Sequence, residues 1–156
     1  MTATDTHPRA DLAGAARSAY RAMAHLDRAT GELPLDPLLR ELIRVRASML
    51  NGCAYCIDMH TKDARAKGEN EQRLYAVATW HEAPFFSPAE RAALALTDAL
   101  TQLPGHPLPD TVLAEAEEQL GAEDLAAATW IIVTINAWNR VAIAAHTQAG
   151  EYEPEA

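Results

Sequence analysis

Residues 125–135 are the longest apolar stretch of this chain, broken by Asn136, and they lie inside an Ala-rich run of more than twenty residues. Val133 and its neighbours are β-branched, but a run of that length and alanine content favours helix. Around residues 126–135 the helix is apolar on nearly every side. Such a helix has to be surrounded, either by its own chain or by other copies of it. The stretch falls far short of the ~20 apolar residues that span a bilayer, so no membrane partner is expected. A chain built around this segment is expected to be all-α and to hide surplus apolar surface in a homo-oligomer.

The rest of the sequence is cut by turn residues into helix-sized pieces, and nothing alternates at period two long enough to make a strand. Residues 1–8 read as a loose arm. Leu12, Ala16, Tyr20, Met23 and Leu26 recur at helical spacing, giving a helix over about 11–29 that stops near Gly31 and Pro34. Asp36 before Pro37 is an N-cap with proline at the first helical position. That helix carries Leu39, Leu42, Ile43, Met49 and Leu50 and ends at Asn51-Gly52. The next begins at or just before Cys53 and runs to Gly68. Asn70 caps a helix with Leu74, Val77 and Trp80, and Ser87-Pro88-Ala89-Glu90 is a capping box. Asp110 opens a short helix ending at Leu120-Gly121, and Glu123 and Asp124 open the last, reaching about Gln148. The expectation is a single domain over 1–156 with about six or seven helices.

Thirteen Lys and Arg face 22 Asp and Glu, a formal net charge of −9. This argues against nucleic acid, whose phosphates need a basic face, and against anionic membrane surfaces. Residues 1–11 are polar, contain Pro8 and have no apolar core of a secretory signal, so a cytoplasmic protein is expected. Two cysteines in a reducing compartment point to catalysis, redox sensing or metal binding rather than to a structural bridge.

Those cysteines lie in the most informative segment, which holds Glu41, Cys53, Cys56 and His60. With Cys53 at a helix start, Cys56 is on the adjacent turn, within reach of a disulfide. The free amides and dipole of the helix start favour thiolate over thiol. His60, at i+4 from Cys56, shares its face and can take the thiol proton. Glu41, on the preceding helix, can orient that histidine and balance its charge. Three other readings compete. The cysteines could be inert core residues. They could join His60 and either Glu41 or His81 around zinc. Glu41 could be a solvated carboxylate pairing with Arg44 or Arg40. Covalent haem attachment is excluded, because Ile57 rather than histidine follows Cys56.

The run from Glu41 to His60, with its Cys-x-x-Cys-x-x-x-His spacing, resembles the carboxymuconolactone decarboxylase-like family in its alkylhydroperoxidase D-like branch. The resemblance continues through Trp80-His81, the helix over 87–101, and Ile135-Asn136-Ala137-Trp138-Asn139-Arg140. It implies an all-helical fold assembled as trimers or hexamers. It also implies a thiol-dependent peroxidase that needs no cofactor beyond its redox-active cysteine pair. In that scheme Glu41 and His60 form the proton relay, Cys56 attacks the hydroperoxide, and Cys53 is the more exposed resolving cysteine. A sulfenic acid on Cys56 condenses to the disulfide, and an external dithiol, a lipoyl group in the best-known branch, resets it. One departure stands out: Tyr55 occupies the position before the second cysteine where the alkylhydroperoxidase D proteins carry a further histidine. The decarboxylase members lack the cysteine pair, which sets decarboxylation aside.

Tyr55 and Trp80, with Phe85, Phe86 and Trp138, are candidates for an apolar substrate pocket. Asn136, Asn139 and Arg140 on the apolar last helix need hydrogen-bond partners if buried, and a structural network is expected. The alternative to a peroxidase is a non-enzymatic thiol redox switch or adaptor.

Overall fold

Helix α3 (Pro37–Asn51) organises the molecule, because its sequence is apolar on more than one face. Leu39 and Ile43 pack with Ala93, Leu96, Ala127, Ala128, Ile131 and Ile132 of two later helices. Leu42 and Val45 point the other way, against Ala64, Leu74, Val77, Trp80, Phe86 and Leu94. The structure, a computed structural model, describes residues 9–154. The loose arm expected over 1–8 lies outside the described residues. Helices α4 (Ala54–Ala66), α6 (Pro88–Thr101) and α7 (Asp110–Ala145) and a 3-10 turn over Val77–Thr79 pack on α3, with α5 (Glu71–Ala76) leading into that turn, α2 (Arg17–Gly31) lying on α7, and α1 (Leu12–Ala15) next to α2. No strand occurs among the described residues.

The caps form where the side chains dictate. The Asp36 carboxylate accepts from the amides of Leu38 and Leu39, both at 2.9 Å. Ser87 and Glu90 close a reciprocal capping box at the start of α6. Gly52 ends α3 in the left-handed region, φ 70°, which costs glycine nothing.

One expectation needs correction. The helix expected over 11–29 breaks at Ala16, whose φ of −129° and ψ of 52° are not helical, so α1 is a single turn capped by Asp11. The two last helices are separate as expected: α7 consists of two helical arms that meet at a kink at Gly121, whose φ of 76° and ψ of 169° are not helical. That element stops at Ala145, where His146 turns left-handed, short of Gln148.

The apolar segment of α7 is enclosed on only one side. Ala127, Ala128, Ile131, Ile132 and Ile135 are buried, whereas Trp130 is 52% exposed and Val133 47%. Among the described residues, no helix is long and apolar enough to cross a membrane.

Candidate active site

The turn between α3 and α4 is held by a polar network reaching into α7. Asn51 donates to the side-chain oxygens of Asn136 and Asn139, each at 2.9 Å. Asn139, fully buried, donates to Ser48 at 3.0 Å, and Asn136 donates to Thr101 at 2.9 Å. The expected structural network therefore exists, built on Asn51, Ser48 and Thr101. It anchors the end of α3, so that the Cys53 amide donates to the Ser48 carbonyl at 3.0 Å and the chain enters α4 in one orientation.

Cys53 is the N-cap of α4, and its Sγ accepts from the Cys56 amide at 3.4 Å. The two cysteines are joined as a disulfide with Cα atoms 5.4 Å apart, as one helical turn allows. They pack with Ala47 and Ile135 beneath Tyr55, Trp138 and Ala142. Cys53 is 1% exposed and Cys56 2%, which corrects the expectation that Cys53 is the more exposed. Capping the helix turns the Cys53 side chain under Ala142 rather than outward. The two sulfurs nevertheless differ in outlook. Cys56 lines a cavity of about 210 Å³ with Tyr20, Asp27, Tyr55, His60 and Trp138. Cys53 lines a separate one with Arg9, Tyr55, Ile143 and His146.

His60 and Glu41 meet as the spacing suggests. The imidazole Nδ1 lies 3.0 Å from Glu41 Oε2. A carboxylate only accepts, so Nδ1 carries the proton and Nε2 is left as the basic nitrogen. Glu41 is fully buried; its other oxygen accepts from Lys67 Nζ at 2.8 Å and Arg44 Nη1 at 3.2 Å. Burial works to raise its pKa. The hydrogen bond and charge of His60, with Arg44 and Lys67, overcome that and hold it at about 2. Arg44 also reaches Asp27, 3.6 Å away. Glu41 is therefore no solvated surface carboxylate, although one of the arginines weighed for that reading does pair with it.

Tyr55 is half-buried beside the cysteines. Burial, and then Tyr20, Asp58 and Asp63, push its phenol up, so it keeps its proton. Trp80 does not reach this cavity, a correction to its reading as a pocket residue. Its indole Nε1 donates to Asp98 at 3.2 Å, and its ring stacks on His81 in the core of the α3–α6 side. His81 lines a different groove, with Asp98 and His106. Among the described residues, Glu41, His60 and Asp63 have ligand atoms within 4.8 Å of one another. Glu41 is saturated by two cations and an imidazole, so this group is poorly suited to a metal.

Lys67 and Asp63 were not singled out by sequence reasoning. Asp63 was within reach of it, three residues beyond His60 on one helix. Lys67 follows α4, and nothing local signals that it folds back on Glu41.

This geometry finds counterparts in known proteins. Residues 16–99 match the carboxymuconolactone decarboxylase family. The uncharacterized protein YdfG of Bacillus subtilis (strain 168) is 42% identical over 127 residues, covering 81% of this chain and 86% of that one. A protein of unknown function from Agrobacterium tumefaciens, described as a candidate antioxidant defence protein AhpD, superposes with a TM-score of 0.89. It is 32% identical, and the match covers 93% of this chain and 99% of that one. The debrominase Bmp8 shares the fold, with a TM-score of 0.79 at 24% identity over 88% of this chain and 74% of its own. With more than half its length matched and a close relative along most of the rest, the chain belongs to the carboxymuconolactone decarboxylase family.

Proposed function

We propose that this protein is a thiol-dependent peroxidase that reduces hydroperoxides through Cys53 and Cys56, with His60 and Glu41 as proton relay. The observation that carries the reading is the convergence of Cys56 and His60 on one apolar-walled cavity, with His60 Nδ1 locked on a buried carboxylate.

In the reduced protein His60 Nε2 takes the Cys56 proton. The thiolate attacks the terminal oxygen of the hydroperoxide. An S–O bond forms, the O–O bond breaks, and the leaving alkoxide takes the proton back from His60 and departs as alcohol. The Cys53 thiol then attacks the sulfenic sulfur, forming the disulfide and releasing water. A partner dithiol, of the lipoyl type, resets the pair by exchange and is itself oxidised to a disulfide. Tyr55, protonated where the alkylhydroperoxidase D proteins carry histidine, serves as cavity wall rather than as a second base.

The exposed Trp130 and Val133 strip supports assembly as a homo-oligomer, a trimer or hexamer by family analogy. The test is single-turnover oxidation of the pre-reduced protein by hydrogen peroxide and by alkyl and aryl hydroperoxides, followed by mass analysis. The expected product has lost two hydrogens within one chain. If the thiols stay reduced with every peroxide, the reading fails.

A further inference from the structure

The segment after α7 is bound to the same helix that carries Cys56 and His60. The Gly150 amide donates to Asp58 at 3.0 Å, and Lys62 Nζ donates to the carbonyls of Tyr152 at 2.7 Å and Gly150 at 3.3 Å. The Tyr152 hydroxyl donates to Asp63 Oδ1 at 2.7 Å. The other oxygen of Asp63 faces His60 Nδ1 at 3.9 Å, beside the Glu41 bond. The imidazole edge therefore looks onto two carboxylates, one held by α3 and one by a residue some ninety positions further along the chain.

Charge makes the second carboxylate matter. Glu41 alone, against Arg44 and Lys67, leaves a surplus positive charge beside His60 before the imidazole takes any proton. A further proton on His60 would add to it in a buried site. Asp63 offsets that surplus from α4 itself. Asp27 on α2 does so only partly, as it is shared with Arg44 and lies at the cavity wall with Tyr20. The α7 residues lining the cavity, Ile135, Trp138 and Ala142, carry no charge. Asp63 stands seven residues beyond Cys56, about 10 Å along the helix axis, so it acts on His60 more than on the thiol.

We infer that Asp63 and Tyr152 are positioning residues of the relay: the Tyr152 hydroxyl orients the Asp63 carboxylate so that it favours the protonated imidazole beside the Cys56 thiolate. This rests on the proposed relay but not on peroxide being the substrate.

The test is the rate of alkylation of the pre-reduced protein by iodoacetamide against pH, for Asp63→Asn, Tyr152→Phe, their combination and His60→Ala. In Asp63→Asn the profile should move to higher pH, with the rate at pH 7 falling about threefold or more, the factor carried by half a pH unit. Tyr152→Phe, which removes one oxygen from a surface segment and keeps the fold, should move it in the same direction. The double variant should be no slower than Asp63→Asn. If His60→Ala slows alkylation while both single variants follow the wild-type profile, Asp63 is only an anchor for the segment and the inference falls. If His60→Ala also matches wild type, the relay itself falls and takes the inference with it.

Discussion

His60 Nδ1 lies 3.0 Å from Glu41 Oε2, and the carboxylate it meets is fully buried yet ionised, because His60 itself, and then Arg44 and Lys67 on its other oxygen, hold it so. The imidazole is thereby fixed in one tautomer, and its ring lines the same cavity as Cys56.

Removing either member should separate chemistry from folding. His60→Ala and Glu41→Gln should lower single-turnover oxidation of the reduced protein by roughly 10²-fold or more, the range of general acid–base catalysis. Stopped-flow rates at neutral pH, alongside helical circular dichroism, check this. Wild-type rates in both variants would leave His60 without a catalytic role.

Glu41 also makes stability depend on pH. Its carboxyl is held at about 2 in the fold against an ordinary 4.5. The folded protein therefore gains on the order of 3 kcal/mol from this group above pH 4.5, and that gain is lost as pH falls through 4.5 towards 2. Denaturant titrations across this window should show the loss, and Glu41→Gln should flatten it at the cost of lower stability near neutrality.

The Asn51 network should be worth measuring by itself. Asn139→Ala removes one of the two acceptors of the Asn51 amide and the donor to the Ser48 hydroxyl, which keep their bonds to Asn136 and to the Arg44 carbonyl, at a cost of about 1 kcal/mol. Thermal unfolding should register it, and slower disulfide re-formation should accompany it, since the network sets the turn into Cys53.

Gly121 tests the break in α7. At φ 76° and ψ 169° it occupies a region essentially closed to other residues. Gly121→Ala should destabilise by about 1–3 kcal/mol, although no neighbouring atom crowds the added methyl. A neutral substitution would mean the two arms of α7 can join differently.

The exposed strip of α7 predicts association. Sedimentation equilibrium should give a multiple of 16.9 kDa, and Trp130→Lys should shift it towards the single-chain mass. A wild-type mass of one chain would leave Trp130 and Val133 as solvent-facing residues.

Much of this architecture was legible because it is local. Asp36-Pro37, Asn51-Gly52 and the Ser87–Glu90 box act within one turn of chain, and each fixes a helix end. Cys53, Cys56 and His60 share one helix, so their spacing alone brings them to one face. What escaped was long-range or strained. Lys67 on Glu41 and Tyr152 on Asp63 depend on how α4 lies against its neighbours. Trp80 carried an aromatic signal that fits a pocket or a core equally, and Asp98 and Arg91 claimed it for the core. The break at Ala16 is signalled only by Gly14, two residues earlier, which approaches the Asp11 carboxylate too closely for a side chain.

The cysteine bridge closes a ring only three residues apart in sequence, within a turn whose shape is already imposed by capping and by the Asn51 network. Such a small ring removes little freedom from the unfolded chain. Opening it would release no long loop, so the bridge itself adds little constraint to this turn. The shape of the turn into α4 is therefore set by its cap and by hydrogen bonds to α7 more than by the covalent bridge.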